Sequence, residues 1–138
     1  RLVAYVDTLY YLWKSGRLPG VVHKVATQFD LKPLFEMSLR SASSVSEFDE
    51  LELEIVRRAP ARTARRAQRR LVEMVEARAR TNPIRVCLMH AGVDERVSEL
   101  EKALRQAVDC ESLYVSEFSP VMGAHIGPGA LGIAYLLC

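Results

Sequence analysis

Apolar and polar positions along this chain repeat with two periods, and the switches between them mark its elements. Leu2-Val3-Ala4-Tyr5-Val6 is a continuous apolar run that predicts a strand. Asp7-Thr8 supplies cap chemistry for a short helix, Leu9 to Lys14, which Ser15-Gly16 stops. After the turn Leu18-Pro19-Gly20, the residues Val21, Val22, Val25, Ala26 and Phe29 recur at helical spacing and predict a second helix over 21–29. Leu34 to Met37 reads as a strand, and the serine-rich stretch 38–48 as a loop or hairpin tip.

Leu51, Leu53 and Ile55 alternate with Glu50, Glu52 and Glu54, the period-two pattern of a strand with one wet face. Over 63–80 the period is helical, with Ala67, Leu71, Met74 and Val75 on one side and arginines opposite. Ile84 to Met89 is a strand. Val93-Asp94 opens a helix whose inner stripe is Val97, Leu100, Leu104 and Val108. Leu113 to Phe118 and Leu131 to Leu137 complete the strands. Six strands interspersed with four helices predict an α/β fold, a two-layer sandwich of one mixed six-stranded sheet with helices on one face. At 138 residues the chain is of one-domain size and buries a real core.

Gly123-Ala124-His125-Ile126-Gly127-Pro128-Gly129-Ala130-Leu131-Gly132 is the most unusual segment. Four glycines and a proline in ten residues predict a tight loop between two strands, with the imidazole of His125 at its tip. The backbone of Gly127 and Gly129 can approach a ligand closely and offer N–H groups to an anion. A histidine beside them can hold a carboxylate or phosphate. Taken locally, a plain strand–turn–strand corner with a solvated histidine fits the same composition.

Seven arginines between Arg57 and Arg70 form the densest charge run. Glu73 and Glu76 follow them, no aromatic residue interleaves, and the net charge is only +2, so a solvated helix face fits better than a nucleic-acid site. Arg62 is the exception, because it sits just before the helix, where side chains often face ligands rather than open solvent. His90 follows a strand and His23 lies on a helix; with His125 they lack metal-site spacing, so no metal or other cofactor is expected. No Ser/His/Asp order, HExxH or Walker pattern occurs, so no catalytic residue is assigned and an enzyme is not expected. Cys87, Cys110 and Cys138 are odd in number, and buried free thiols in a reducing, cytoplasmic setting are expected. No apolar run reaches the roughly 18 residues of a membrane span, so no stable membrane insertion is expected. The chain lacks an initiator methionine and reads as part of a longer protein.

Four segments, in order, resemble the DegV family of bacterial fatty-acid-binding proteins. They are Val6 to Leu18, similar to Asp-Thr-Leu…Leu…Gly-Gly-Arg; Leu31-Lys32-Pro33-Leu34; Arg62-Thr63 followed by Ala67; and Glu117…Pro120-Val121…Gly123 to Gly132. The resemblance covers nearly the whole chain but only the second half of a DegV protein. It implies that residues 1–138 are the C-terminal two-layer α/β domain, with the N-terminal Rossmann-like domain absent. It further implies that one long-chain fatty acid lies between the domains, its carboxylate held by His125 together with hydroxyl residues of the other domain. A fatty acid kinase is the implied protein partner, turning the bound lipid into acyl-phosphate for phospholipid synthesis, and Arg62 maps to the kinase-facing surface. Ile126 stands where the family has threonine, Ser15 replaces the first glycine of Gly-Gly-Arg, and 38–58 is longer and more acidic than usual.

The lipid reading makes physical demands. A carboxylate in a partly dry site needs several donors, more than one histidine supplies, so the absent domain must add the rest. An acyl chain needs an apolar slot, worth ~0.8 kcal/mol per buried CH₂; Leu9, Leu12, Val21, Val25, Phe29 and Leu34 are the expected lining, although they can equally fill a core. Two rival functions remain at this point. One is a small α/β enzyme domain whose Arg62 and His125 bind a phosphorylated substrate, and the other a regulatory module whose basic helix contacts nucleic acid.

Overall fold

The computed structural model of the chain describes residues 1–40 and 52–138. In chain order its elements are β1 (Leu2–Tyr5), α1 (Tyr10–Lys14), α2 (Gly20–Gln28), β2 (Lys32–Arg40), β3 (Glu52–Ala61), α3 (Ala64–Ala79), β4 (Ile84–His90), α4 (Asp94–Ala107), β5 (Cys110–Glu117), α5 (Pro120–Ile126) and β6 (Leu131–Leu137). The strands form one mixed sheet in the order β3-β2-β1-β6-β4-β5. Among the described residues only β4 and β5 pair in parallel, joined through α4; every other pair is antiparallel. The predicted mixed six-stranded α/β fold is therefore the observed one.

The pleat divides the strands as period two requires. Val3 and Tyr5, Leu34, Ile84, Val86 and Leu88, and Leu131, Ile133 and Tyr135 all belong to one buried cluster. The two long helices cover that face. α3 presents Ala67, Leu71, Val75 and Ala79 at intervals of four, and α4 presents Val97, Leu100 and Leu104. Thr63 caps α3 by accepting from the Arg66 N–H at 3.2 Å. The opposite face is partly open. There the Phe118 ring lies against Gly132, while Ile55, Tyr114 and Leu136 stay exposed.

The structure revises several elements. β2 begins at Lys32 and runs on to Arg40, past the expected end at Met37; the rest of the expected 38–48 loop, and Leu51, lie outside the described residues. β3 extends to Ala61, and Ile55, expected on the dry side, is exposed because this edge strand shows it to the uncovered face. β5 starts earlier, at Cys110, and Cys87 and Cys110 are half-buried rather than buried, with no disulfide at any cysteine. The N-cap of α1 is Leu9, without a side-chain cap, so Asp7 does not cap it. Thr8 alone serves the first turn, its Oγ1 accepting from the Tyr10 N–H at 3.2 Å. The largest revision is a fifth helix, α5, where a tight loop was expected. No helix among the described residues is long and apolar enough to cross a membrane.

One buried acid ties the sheet to α3. The Glu36 side chain is only 6% exposed, and three arginines converge on it: Arg58, Arg1 at 3.2 Å and Arg78 at 3.5 Å. The hydrogen bonds from Arg58 outweigh burial and, with the charges of Arg78 and Arg1, hold its pKa below the ordinary glutamate value. A lowered folded pKa means that this stabilisation is complete above the unfolded value of about 4.3. It is lost as pH falls through the folded pKa. Glu36→Gln is accordingly expected to destabilise the chain by about 1.5–3 kcal/mol at pH 7, the worth of a hydrogen bond to a charged group. The deficit should shrink toward pH 3. Urea unfolding of both chains at the two pH values checks this, and a deficit independent of pH counts against it.

Candidate functional site

All three short helices gather at one end of the sheet. β1, β3, β4 and β5 finish there, and β2 and β6 begin there, as the pairing directions require. α1 and α2 connect β1 to β2, and α5 connects β5 to β6. They bury a second, smaller cluster of Val6, Leu9, Ala26, Phe118 and Ala130, with Leu12, Phe35, Met89 and Ile126 packed against it.

α5 forms because its ends are well marked. Ser119 caps it by accepting from the Met122 N–H at 3.3 Å, and Pro120 takes the first helical position, where no N–H is needed. Gly127 ends it at φ 75°, ψ 173°, backbone that is essentially reserved for glycine. His125 thus stands half-buried in the last turn of a helix, not at the tip of a loop. The loop that follows is held tightly. The Gly127 N–H donates to the Gly123 carbonyl and the Gly129 N–H to the Ala91 carbonyl, both at 2.9 Å. The expected free N–H groups of Gly127 and Gly129 are therefore already spent. What the glycines supply is space. A Cβ on Gly127 would sit 2.7 Å from Cε2 of Tyr11, and one on Gly129 2.7 Å from Oδ2 of Asp7.

Asp7, expected as a cap, is instead the acid of a small charge cluster. Its Oδ2 lies 3.3 Å from Arg96 Nη1 and its Oδ1 3.5 Å from Lys32 Nζ. Lys32 also donates to the Asp7 carbonyl at 3.0 Å and to Asp30 at 2.8 Å. Burial opposes the charge on Lys32, but Asp30 and Asp7 more than offset it and raise its pKa. The cluster locks β1, β2 and α4 behind the glycine loop.

On the open side of the loop, Arg17 Nη1 donates to His125 Nδ1 at 3.1 Å. The sequence singled out Arg17 only as part of a signature. The turn that aims it was legible in Ser15-Gly16, because Gly16 adopts φ +77° and Ser15 a common backbone at φ −83°. Serine in place of the first glycine therefore costs nothing here.

The six expected tunnel residues are split. Leu9 is buried and Leu12 half-buried in the small cluster, whereas Val21 and Val25 on α2 and Phe29 just past its end are 75, 49 and 58% exposed. Leu34 does not join them, because the pleat turns it to the opposite side, into the core under α3. Tyr10, Trp13, Val121 and Met122 extend the exposed apolar surface over α1 and α5. Trp13 stacks on His23 with ring centroids 4.7 Å apart.

Arg62 is exposed at the end of β3. Arg62 follows β3 and the His125 loop leads into β6, three strands away in the sheet, about 14 Å at the ~4.8 Å strand spacing. His90 is buried, its Nε2 3.6 Å from Asp94 and its Nδ1 without a hydrogen-bond partner. Among the described residues no group of three or more His, Cys, Asp or Glu is arranged to hold a metal ion.

Comparison with known proteins places this arrangement. A DegV domain-containing protein of Streptomyces coelicolor, SCO2569, is 35% identical over 130 residues, 94% of this chain and 42% of that protein. The crystal structure of the DegV family protein Cg2579 from Corynebacterium glutamicum superposes with a TM-score of 0.73 at 26% identity, over 98% of this chain and 46% of that one. DegV from Bacillus subtilis, described as a fatty acid binding protein, superposes at 0.67 with 27% identity, over all of this chain and 45% of its own. The chain thus spans less than half the length of the relatives it matches. The family model described as "Uncharacterised protein, DegV family" matches residues 1–137, and with it the likeness in sequence and fold agrees: the chain belongs to the DegV family.

Proposed function

We propose that this chain contributes one side of the ligand site of a fatty-acid carrier. It is the C-terminal domain of a two-domain cytoplasmic protein, holds a long-chain fatty acid and performs no chemistry of its own. One observation carries the reading: a polar pair, His125 with Arg17, stands at the end of α5 beside helices whose apolar residues are uncovered. An amphiphile needs both, an anchor for its carboxylate and an apolar wall for its tail. Val21, Val25 and Phe29 offer the wall, with Leu9 and Leu12 beneath it, and Leu34 no longer belongs to the set. The glycines at 127 and 129 act by shaping the loop, not by donating to the headgroup. Arg62, a separate exposed position, is the contact for a fatty acid kinase that takes the lipid onward.

Two measurements test the proposal. Protein expressed from its whole gene should carry a fatty acid, identified by mass spectrometry of the extracted ligand; a sugar phosphate or nucleotide in its place overturns the reading in favour of a phosphorylated substrate. The 138-residue chain by itself should bind long-chain fatty acid only weakly, because much of α2 faces solvent and the remaining headgroup donors lie elsewhere. Calorimetric titration should give a Kd well above 1 µM, on the order of a free energy weaker than −8 kcal/mol. Submicromolar binding by this chain would show that it is sufficient without a second domain.

A further inference from the structure

We propose that Arg17 is a positioning residue that fixes the tautomer of His125. A guanidinium carries five N–H donors, has no acceptor and is not deprotonated in proteins. Its 3.1 Å contact with Nδ1 therefore requires a lone pair on that nitrogen. The neutral ring must then carry its hydrogen on Nε2, and the doubly protonated ring is incompatible with the contact. His125 becomes a neutral donor with one N–H, directed away from Arg17.

The arginine is aimed by the backbone. α1 ends in a paired turn in which the Gly16 N–H donates to the Trp13 carbonyl at 3.0 Å and the Arg17 N–H to the Leu12 carbonyl at 2.9 Å. Arg17 Nη1 also reaches the Ser15 carbonyl at 3.4 Å. α1 packs against α5, and its Tyr11 ring lies where a side chain on Gly127 would go. One short helix thus both sets the end of α5 and supplies the donor to its histidine.

Taken with the proposed carrier function, this divides the labour at the headgroup. The positive charge facing a carboxylate comes from Arg17, and His125 adds a neutral hydrogen bond whose direction Arg17 has set. The tautomer itself needs no ligand to be observed, so its test is separate from that of the carrier reading.

The experiment is a long-range ¹H–¹⁵N correlation spectrum of the ¹⁵N-labelled chain at pH 8, with the His125 ring assigned by its loss in His125→Gln. The parent chain should show a bare Nδ1 and a protonated Nε2. Arg17→Lys, which keeps a cationic donor, should preserve that state. Arg17→Glu, which puts an acceptor at the same place, should move the hydrogen to Nδ1. Arg17→Met, which keeps the stem and removes the donors, should give a mixture and guards against misfolding of the glutamate variant. A parent chain with Nδ1–H, or a ring whose tautomer is the same in the parent, glutamate and methionine variants, overturns the proposal.

Discussion

Gly127→Ala is expected to destabilise the chain by about 2–6 kcal/mol, a large share of the 5–15 kcal/mol that holds an ordinary domain folded. Two costs add. The backbone at φ 75°, ψ 173° lies in a region that costs a residue with a side chain roughly 1–3 kcal/mol. The new methyl would also overlap the Tyr11 ring, and overpacking of this kind costs about 1–3 kcal/mol more. Tyr11 cannot retreat freely, because α1 is held by its contacts with α2 and α5. Gly123→Ala supplies the opposite expectation on the same helix. That glycine meets nothing within 4 Å and has helical backbone, so alanine should stabilise by up to ~1 kcal/mol. Urea unfolding of both variants decides the matter. Tyr11→Ala placed in the Gly127→Ala background should recover the part due to overlap and leave the part due to the backbone. Equal and small effects at 123 and 127 would mean that the glycine loop is not constrained as described.

These two glycines also show what the sequence disclosed and what it withheld. β1, β4, β6 and the two long helices were legible because each buries a face, and a buried face forces period 2 or period 3.6 on the residues that form it: Val97, Leu100 and Leu104 could hardly be anything but a helix. α5 was missed because its seven residues bury nothing completely, so no periodicity betrayed it. Its marks were positional: Ser119-Pro120 at the start and Gly127 just past the end, a pattern that counting glycines and prolines obscures. Asp7 was misread for a different reason. A cap is a local matter, but Asp7 is claimed by Lys32 and Arg96, 25 and 89 positions away, and no local rule foresees that.

The geometry of the candidate site was legible in part. The sequence singled out His125 as a residue on display, and Arg62 as separate from the helix face behind it. It could not pair His125 with Arg17, because the two are 108 residues apart and meet only through the packing of α1 on α5. Helical spacing correctly marked one stripe of α2 as apolar, yet Val21 and Phe29 are exposed. Periodicity records that a face is apolar, not what lies against it. Leu34 shows the same limit from the other side, since a strand offers two faces and the residues alone did not say that this leucine belonged to the core under α3.

His125→Ala, made in the protein as its whole gene encodes it, is expected to weaken fatty-acid binding about ten- to a hundredfold. On the proposed carrier function the substitution removes one hydrogen bond to the carboxylate, worth about 1.5–3 kcal/mol. Stability should change little, because the ring is half-exposed and Arg17, its one side-chain partner among the described residues, is itself exposed. Arg62→Ala should do the reverse on function. Its strand end is three strands from the His125 loop, so lipid affinity should hold while phosphorylation of the bound lipid by the kinase slows. An arginine fork suits a carboxylate or phosphate on a protein partner. Fluorescence titration with a long-chain fatty acid and a coupled kinase assay, each run on both variants, separate the two roles. Loss of lipid by Arg62→Ala with retention by His125→Ala would exchange the assignments, and with them the surface that faces the ligand.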